Sequence, residues 1–457
     1  MKTKFTLLVL VGLFTMFGAQ STAPGLLWQK TISPVNNSTL MYSGGSVQLS
    51  DGSYVFTGSS NTFIPQVNKV NSSGDLLWQK TLPDLFNNIP FLLSKDSNDN
   101  LYFITENAGN GNPSFVKLDI NGNVIWTKTI TVNNQETFVV DMDILADGSI
   151  VLSGDFEDDT SFSYFFGKYD TNGNQLWIKT RTYTQYPGSV IFDTVPLADG
   201  GFALVGETAY YDEETDIENE YGWIAKYNDS RDLVWENTYI SEGESIYEKG
   251  LINNAGELLV AGVNHESATK TLLTKKSSSG NTIWTNNYFG DNYYDIALIS
   301  GTDNGYLLSF SEFNTNNSII KKITETGVTA WENNYKDLVG ENNRFSTFIK
   351  TNDNNLFAMS LKDNNYALYK FGGTLAVQDL NKSTIGVYPN PVKNMLQINS
   401  KENISGFEIY SQDGKKVLSR QNENISKVDF SNLPNGNYIL KLKTKLNEES
   451  FKIIKSN

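Results

Sequence analysis

Apolar and polar residues alternate along short stretches of this chain, in a pattern that recurs about every fifty residues. In "SVQLSDGSYVFT" (46–57) two alternating runs flank an Asp-Gly turn, which is typical of a β-hairpin with one buried face. A second hairpin, "PQVNKVNSSGDLLWQKT" (65–81), completes the unit. Each unit therefore predicts four strands, A to D, and no helical periodicity lies between them.

A tryptophan stands near the end of each unit, with spacings of 50, 48, 51, 58, 49 and 47 residues. The seven tryptophans are Trp28, Trp78, Trp126, Trp177, Trp235, Trp284 and Trp331. Four-stranded units of this length are typical of β-propeller blades rather than of a sandwich or a solenoid.

The last unit is one strand short, and the start of the chain supplies a copy of the missing strand. After Trp331 only three strands follow, the last at 366–371, whereas "GLLWQKT" (25–31) has the sequence of a D strand. An open ring would leave two unpaired sheet edges. We therefore expect 25–31 to pair with 366–371, which predicts a seven-bladed β-propeller closed by its N-terminal strand. Burial of Trp28 there would contribute at most about 4–6 kcal/mol.

Residues 1–20 have the pattern of a signal peptide. Lys2 and Lys4 precede an apolar run at 5–17, and small residues follow at 18–19. The run is shorter than the roughly 20 residues that span a bilayer, which favours a cleaved signal over a membrane anchor. No later segment is apolar enough to cross a membrane, so the mature chain is predicted to lack a transmembrane segment and to be secreted or surface-attached.

The composition excludes several kinds of chemistry. The chain has no cysteine, which rules out a thiol nucleophile, disulfides, a cysteine zinc site and an iron–sulfur cluster. His265 is the single histidine, so a multi-histidine metal centre is not expected. It falls in a predicted loop and is interpreted as an inert surface residue.

The charge is divided unevenly along the chain. The net charge is −15, yet residues 376–457 contain 12 Lys and Arg against 8 Asp and Glu. The signal adds two positive charges, so about −21 lies in residues 21–375. A body this acidic repels nucleic acid and anionic lipid and favours cations, amines or neutral ligands.

The predicted connections are of two kinds. The A–B and C–D turns are short and nearly uniform ("SDGS", "ADGS", "ADGG"), whereas the B–C and D–A connections vary in length and composition. Alternate connections lie on opposite rims, and variable loops on a rigid scaffold usually carry the site. The variable rim is therefore the predicted working face.

Two B–C connections on that rim are strongly acidic: "GDFEDDTSFSY" (154–164) and "GETAYYDEETDIENEYGW" (206–223), the latter with Tyr210, Tyr211 and Trp223. Clustered carboxylates suit a hard cation such as Ca²⁺, and the alternative is a solvated charged loop. The candidate metal ligands are Asp155, Glu157, Asp158, Asp159, Asp212, Glu213, Glu214 and Asp216. No motif indicates another cofactor. "DINGN" (119–123) and "DTNGN" (170–174) lack the glutamate that ends a calcium loop and are interpreted as hairpin turns.

The "NGxxLW" endings of several units resemble the repeats of pyrroloquinoline-quinone-type propellers. The resemblance covers only the D strands, in which the tryptophans are predicted to pack one blade against the next. Nothing in the sequence identifies ligands for a quinone, and a shared fold does not carry an activity with it.

A different pattern begins near residue 376. A linker (376–384) leads to alternating strands around Phe407, Ile409, Tyr438, Leu440 and Leu442, which predict a compact β-sandwich over residues 385–457. The domain limits are thus 1–20, 21–375, 376–384 and 385–457.

Four motifs of this last segment resemble the type A C-terminal sorting domain of the type IX (Por) secretion system. They are "VYPNPV" (387–392), "IYSQDGKKVL" (409–418), "LPNGNYILKL" (433–442) and "FKIIK" (451–455). The resemblance implies export across the outer membrane of a Gram-negative cell by the type IX machinery, followed by release or surface attachment. The residues that carry it are Tyr388, Pro389, Asn390, Pro391, Gly414, Gly436, Tyr438 and Lys452.

The leading hypothesis is a secreted or cell-surface propeller that binds a glycan, a protein or an ion through its variable rim and is not an enzyme. The alternative is a secreted polysaccharide hydrolase or lyase that uses carboxylates. The alternative requires at least two acidic residues converging at the channel mouth, one of them with a raised pKa.

Overall fold

The computed structural model describes residues 23–456 apart from short gaps, at 109–110, 158–161, 184–187, 213–216, 242, 266–269, 290–292, 302–304, 313–317, 340–343, 373–384, 401–402, 412–414, 422–423 and 445–447. The predicted signal peptide lies outside the described residues. The chain divides into two compact units, one up to residue 375 and one from residue 376.

Twenty-eight strands are described in the first unit, with 3-10 turns at Val35–Asn37 and Pro83–Leu85 and one helical turn, α1 (Lys336–Val339). The strands are β1 (Leu26–Ile32), β2 (Leu40–Gln48), β3 (Tyr54–Ser60), β4 (Pro65–Val70), β5 (Leu76–Thr81), β6 (Asn88–Lys95), β7 (Leu101–Asn107), β8 (Ser114–Leu118), β9 (Val124–Thr129), β10 (Glu136–Ile144), β11 (Ile150–Glu157), β12 (Phe162–Tyr169), β13 (Gln175–Tyr183), β14 (Gly188–Pro196), β15 (Phe202–Asp212), β16 (Ile217–Tyr227), β17 (Leu233–Tyr239), β18 (Ser245–Ile252), β19 (Leu258–Asn264), β20 (Lys270–Lys276), β21 (Thr282–Phe289), β22 (Tyr293–Ser300), β23 (Tyr306–Glu312), β24 (Ser318–Ile323), β25 (Thr329–Asn334), β26 (Phe345–Lys350), β27 (Leu356–Lys362) and β28 (Asn365–Phe371).

These strands form four-stranded antiparallel sheets, and the described residues contain seven of them in the first unit. Sheets 1 to 6 are successive four-strand meanders, from β2–β5 to β22–β25. Sheet 7 has the order β1-β28-β27-β26. The first strand of each sheet contacts the first strand of the next, and β26 contacts β2. We call the edge with the A–B and C–D turns the turn rim and the opposite edge the loop rim.

The pairing of the two ends of this unit is confirmed. Strand β1 runs antiparallel to β28, with Trp28 opposite Lys370 and Ile32 opposite Tyr366. Tyr366 and its strand neighbours are fully buried, whereas Trp28 is only partly buried. The contribution of Trp28 therefore lies below the upper bound given above, because β1 is an edge strand of its sheet.

The tryptophans pack each sheet against its neighbour, as the sequence predicted. The ring of Trp78 lies over the C–D turn of sheet 2, where a Cβ on Gly122 would come within 2.7 Å of the ring. Gly122 also has a φ of 75°, which favours glycine. Trp28 covers Gly74 of sheet 1 in the same way. The N-terminal strand thus repeats the inter-sheet contact of the other D strands.

The acidic connections are shorter than predicted. In sheet 4, β15 and β16 extend the hairpin until Asp212 pairs with Ile217, so most of 206–223 is strand. Trp223 is buried in the core between sheets 3 and 4, with its ring 5.5 Å from that of Tyr164. The prediction that Trp223 lies beside an acidic loop is therefore wrong. Regular cross-strand pairing stabilises the hairpin as far as Asp212 and Ile217.

The second unit has two sheets, whose strands are β29 (Ile385–Tyr388), β30 (Met395–Ser400), β31 (Gly406–Ser411), β32 (Lys416–Gln421), β33 (Lys427–Asp429), β34 (Gly436–Lys443) and β35 (Glu448–Lys455). The sheet orders are β29-β30-β33 and β32-β31-β34-β35. Buried residues from both sheets, such as Leu396, Val428 and Leu440, form one core. This is the two-sheet arrangement that the sequence predicted.

Candidate functional site

The predicted calcium site lies mostly outside what the structure describes. Asp158, Asp159, Glu213, Glu214 and Asp216 are not among the described residues, and the side chains of Glu157 and Asp212 are not described either. Asp155 is described, and its Oδ1 accepts a hydrogen bond of 3.3 Å from the backbone N–H of Ile191 in sheet 4. Among the described residues no three Asp, Glu, His or Cys side chains are arranged to hold a metal. The calcium site stays a prediction.

A cleft of about 570 Å³ opens on the loop rim between sheets 2 and 3. The end of β7 and the residues after it form one wall, and the start of β10 forms the other. Its described lining residues are Phe91, Glu106, Asn107, Ala108, Gly111, Pro113, Glu136, Thr137, Phe138, Val139 and Val140. The volume lies within the range of ligand sites in proteins.

Two β-bulges bring side chains to this cleft. The register of β6 shifts between Pro90 and Leu92, and that of β10 shifts between Val139 and Asp141. Each shift adds one residue to the innermost strand, Phe91 in sheet 2 and Val140 in sheet 3. A bulge re-aims the side chain of the extra residue. Both extra residues line the cleft.

Gly154 allows the bulge of sheet 3 to form. A Cβ at Gly154 would lie 1.8 Å from the backbone oxygen of Phe138, so only glycine fits opposite the bulge. Gly206 and Gly262 meet the equivalent carbonyl in sheets 4 and 5, at 2.0 and 1.8 Å. The glycine that ends the "LSG", "LVG" and "VAG" runs is therefore a consequence of the bulges.

The cleft combines aromatic and polar surface. The side chain of Phe138 is 40% exposed and that of Phe91 is half-buried, while Glu106 and Glu136 are exposed. The Oδ1 of Asn107 accepts a hydrogen bond of 3.2 Å from Asn87 Nδ2, which orients the amide at the wall. Exposed aromatic faces beside carboxylates and amides can stack on a ligand and accept hydrogen bonds from it.

A second constellation lies on the first strands of the sheets, next to a central cavity of about 400 Å³ that is lined mainly by residues of the first strands of sheets 1, 2, 5, 6 and 7. The first residue after each register shift occupies the same place in all seven innermost strands. These residues are Ser46, Leu92, Asp141, Asp193, Lys249, Ala297 and Thr347. Asp141, Asp193 and Lys249, from three consecutive sheets, are thus charged, whereas the other four are neutral.

The three charged residues bind one another and the neighbouring backbone, and among them Lys249 lines the cavity. Lys249 Nζ lies 2.9 Å from Asp193 Oδ1, and the backbone N–H of Gly250 donates to Asp193 Oδ2 at 2.7 Å. Asp141 Oδ2 accepts from the N–H of Thr194 at 3.1 Å. Each aspartate therefore ties its innermost strand to the next one. On the other side of the cavity the hydroxyls of Ser46 and Thr347 are hydrogen-bonded.

Burial and neighbouring charges shift the pKa values of Asp141 and Lys249, and that of Asp143, which lies two residues after Asp141 on β10. Burial, with the charge of Asp193 added, raises the pKa of Asp143 to about 7, although Lys249 opposes the shift. Burial likewise raises the pKa of Asp141, and Asp193 and Asp143 add to it. Burial alone would lower the pKa of Lys249, but Asp193 and Asp141 outweigh it and hold the pKa above its ordinary value. Lys249 keeps 36% of its side chain accessible because it faces the cavity.

Two further clefts lie on the turn rim, which was not the predicted working face. They flank Asn253 and Asn254 of sheet 5, with volumes of about 450 Å³ towards sheet 4 and about 510 Å³ towards sheet 6. His265 lies on the loop rim, where its backbone N–H donates to Glu244 O at 2.7 Å.

The predicted sorting residues of the second unit are only partly brought together. Asn390 Oδ1 accepts from the N–H of Ile454 at 2.8 Å, which joins the segment after β29 to the last strand. Tyr438 is buried, and its hydroxyl donates to Pro434 O at 2.7 Å, close to Gly436 at the start of β34. Tyr388 is exposed, and Lys452 pairs with Ile439 in β35. Pro389 and Pro391 flank Asn390, and Gly414 lies outside the described residues.

Comparison with known families decides the nature of this unit. Residues 386–456 match the family described as "Secretion system C-terminal sorting domain". The second unit is a sorting domain. The predicted resemblance is confirmed, and the sorting domain marks the chain for secretion. Among the described residues no helix has the length and apolar character needed to cross a membrane.

Solved structures similar to the chain include "YCF48 bound to D1 peptide" (10% identity, TM-score 0.47, covering 78% of this chain and 99% of that one). "Drosophila Semaphorin 1a, extracellular domains 1-2" has 9% identity and a TM-score of 0.46, with coverages of 78% and 90%. "Polysaccharide lyase Uly1" has 12% identity and a TM-score of 0.44, with coverages of 76% and 99%. No curated protein matches the sequence.

Proposed function

We propose that residues 21–375 form a seven-bladed β-propeller closed by its N-terminal strand. The order of contacts among the innermost strands and the pairing of β1 with β28 support the proposal. The linker is assigned to 376–384 and the sorting domain to 385–457. In this arrangement the central cavity is the channel of the propeller.

The sorting domain supports export by the type IX machinery after removal of residues 1–20 as a signal peptide. The propeller then reaches the extracellular side of the outer membrane of a Gram-negative cell, released or attached to the surface. Mass spectrometry of the secreted chain tests removal of residues 1–20. A secreted chain that retains residues 1–20 would contradict the signal assignment.

The function that the geometry supports best is non-catalytic binding of a glycan in the loop-rim cleft. The observation that carries it is that two aromatic rings, two carboxylates and one amide line the same cleft. They belong to Phe91, Phe138, Glu106, Glu136 and Asn107. Aromatic rings stack on sugar faces at a small entropic cost. Carboxylates and amides at the edges accept hydrogen bonds from sugar hydroxyls.

A glycan array followed by calorimetry with the mature full chain tests this function. Phe138→Ala should weaken binding about tenfold or more, because a stacked aromatic ring is lost. Phe86→Ala is the matched control, since Phe86 is 63% exposed between sheets 1 and 2 and does not line the cleft. Equal losses in the two variants, or no binding to any glycan, would contradict the proposal. Addition of Ca²⁺ and of a chelator in the same assay tests the predicted calcium site.

The raised pKa of Asp143 favours a second candidate function, a polysaccharide hydrolase or lyase. A carboxyl group that titrates near neutral pH, close to the second carboxylate of Asp193, is the arrangement that general acid–base catalysis uses. Release of new chain ends from polysaccharide should then fall about 100-fold or more in Asp143→Asn. Asp147→Asn on the turn rim is the control and should retain activity.

A further inference from the structure

The loop-rim cleft has charge of one sign. Among its described lining residues the charged side chains are Glu106 and Glu136, and none is lysine, arginine or histidine. Both carboxylates are exposed at the mouth, one on each wall. The group formed by Asp141, Asp193 and Lys249 differs in this respect, because Lys249 neutralises part of the aspartate charge.

We infer that the cleft selects oligosaccharides with protonated free amines over neutral, uronic or sulfated ones. This inference rests on the proposed glycan function and specifies its ligand class. Two carboxylates on opposite walls attract an ammonium group between them and repel a ligand carboxylate or sulfate. The acidic propeller adds to the same potential at longer range.

The aromatic residues contribute to the same preference. An ammonium group, or the polarised C–H face of an aminated ring, is attracted to the face of a phenyl ring. Phe138, which is 40% exposed, and Phe91, which is half-buried, both line the cleft and supply such rings. An amino sugar can therefore stack on a ring while its amine reaches a glutamate.

The shape of the cleft favours a short sugar over a basic peptide. Its volume of about 570 Å³ is bounded on both sides, by the residues after β7 and by the start of β10. The wall strand β7 pairs on both edges within its sheet and offers no edge to a peptide, whereas β10 pairs with β11 on one edge. An extended peptide gains most of its affinity from strand pairing or from a long groove. A compact ligand of one or two rings needs neither.

Calorimetry with the mature full chain tests the inference on three ligands: glucosamine oligomers, N-acetylglucosamine oligomers of the same length, and oligogalacturonate. The glucosamine oligomer should bind about tenfold more tightly than its acetylated counterpart. The preference should shrink as salt rises from about 0.05 M to about 0.3 M, because screening weakens exposed charges. Oligogalacturonate should bind most weakly.

Glutamate variants separate the charge effect from glycan binding itself. In the double variant Glu106→Gln, Glu136→Gln the preference for the amine should fall to about onefold, because binding of the amine weakens much more than binding of the acetylated oligomer. Asp84→Asn, which removes an exposed carboxylate outside the cleft, should leave the preference unchanged. Tight binding of both oligomers without a preference would overturn the inference and leave the glycan function standing. Absence of all glycan binding would overturn both, and tighter binding of a short lysine peptide would replace the sugar with a basic peptide.

Discussion

The turn rim is built from repeated contacts, whereas the loop rim is different in every sheet. On the turn rim a lysine from the third strand reaches an acidic residue of the A–B turn, at 2.6–3.4 Å. The pairs are Lys69–Asp51, Lys168–Asp147, Lys226–Asp199, Lys275–Glu257 and Lys370–Asp353. The loop-rim cleft, by contrast, depends on Phe138 and Phe91, and the bulge position of Phe91 is taken by Val140, Phe192 and Glu248 in sheets 3, 4 and 5. The difference indicates that one rim mainly stabilises the fold and that the other is open to change for recognition.

The largest expected effect comes from removal of β1, the N-terminal strand that pairs with β28 at the other end of the first unit. Removal of residues 23–32 leaves β28 as an open edge and exposes the buried faces of Tyr366 and Leu368. The melting temperature should fall by about 10 °C or more, and solubility should fall with it. The control is Leu27→Ser, because the Leu27 side chain is 56% exposed on the same strand. A truncated chain that melts with the parent would refute the structural role of β1.

A buried lysine of the turn rim should give the next largest effect. Lys275 is 5% exposed and its Nζ lies 2.6 Å from Glu257, which is itself partly exposed. Lys275→Met should lower the free energy of unfolding by about 2 kcal/mol, because it leaves Glu257 without its cation. The exposed pair Lys30–Asp75 is the control, and Lys30→Met should cost less than about 1 kcal/mol. Urea unfolding measures the free energy of unfolding of both variants. Equal losses in the two would contradict the role assigned to burial of Lys275.

The repeated parts of the fold could be predicted from sequence, because each is a local pattern. Alternation around short turns predicts the hairpins, and the D-strand sequence at 25–31 predicts its pairing with 366–371. A lysine of the third strand also stands opposite the tryptophan of the D strand in every unit, as Lys69 stands opposite Trp78. Comparison of the seven third strands reveals these lysines.

The loop-rim cleft and the group of Asp141, Asp193 and Lys249 could not be predicted in the same way. Phe91 reaches the cleft through a bulge, and bulges arise from the packing of innermost strands that are about fifty residues apart in sequence. Asp141, Asp193 and Lys249 meet for the same reason. The wall residues at 106–108, 111 and 113 belong to a glycine- and asparagine-containing connection that carries fewer charges than the acidic connections of sheets 3 and 4.

The contributions of Asp143, on β10, and of Asp353, on the turn rim, to the free energy of unfolding should change with pH in opposite directions. Asp143 has a pKa raised to about 7 in the folded chain, against about 3.9 when unfolded, so the folded state holds the extra proton between those values. Stability should therefore fall as pH rises from about 4 to about 7. Asp143→Asn should remove this loss, with a gain of about 1–2 kcal/mol at pH 8 once accessibility to water is allowed for.

Asp353 on the turn rim provides the opposite case. Burial alone would raise its pKa, but hydrogen bonds from Lys370 and Thr351 and the charge of Lys370 outweigh burial and lower the pKa to about 2. Its contribution is present above about pH 4 and is lost as pH falls towards 2. Asp353→Asn should therefore destabilise the chain at neutral pH and flatten the acid side of the profile. Urea unfolding between pH 2 and 8 compares the two variants, and profiles that shift in the same direction would contradict the assignment.

The smallest expected effect tests the one C–D turn that departs from the repeat. At the position where Gly122 and Gly173 stand in sheets 2 and 3, sheet 4 has Arg231, with a φ of 65° and its guanidinium 5.1 Å from the ring of Trp177. Arg231→Gly relieves a left-handed conformation, which is worth about 1 kcal/mol, but it loses a cation–π contact of about 0.5–1 kcal/mol. The two effects oppose each other, so the free energy of unfolding should change by less than about 0.5 kcal/mol. Gly173→Ala has no compensating contact and meets the ring of Trp126 at 2.8 Å, so it should destabilise clearly. A large loss of stability in Arg231→Gly would show that the contacts of the arginine side chain stabilise the turn by more than its left-handed backbone costs.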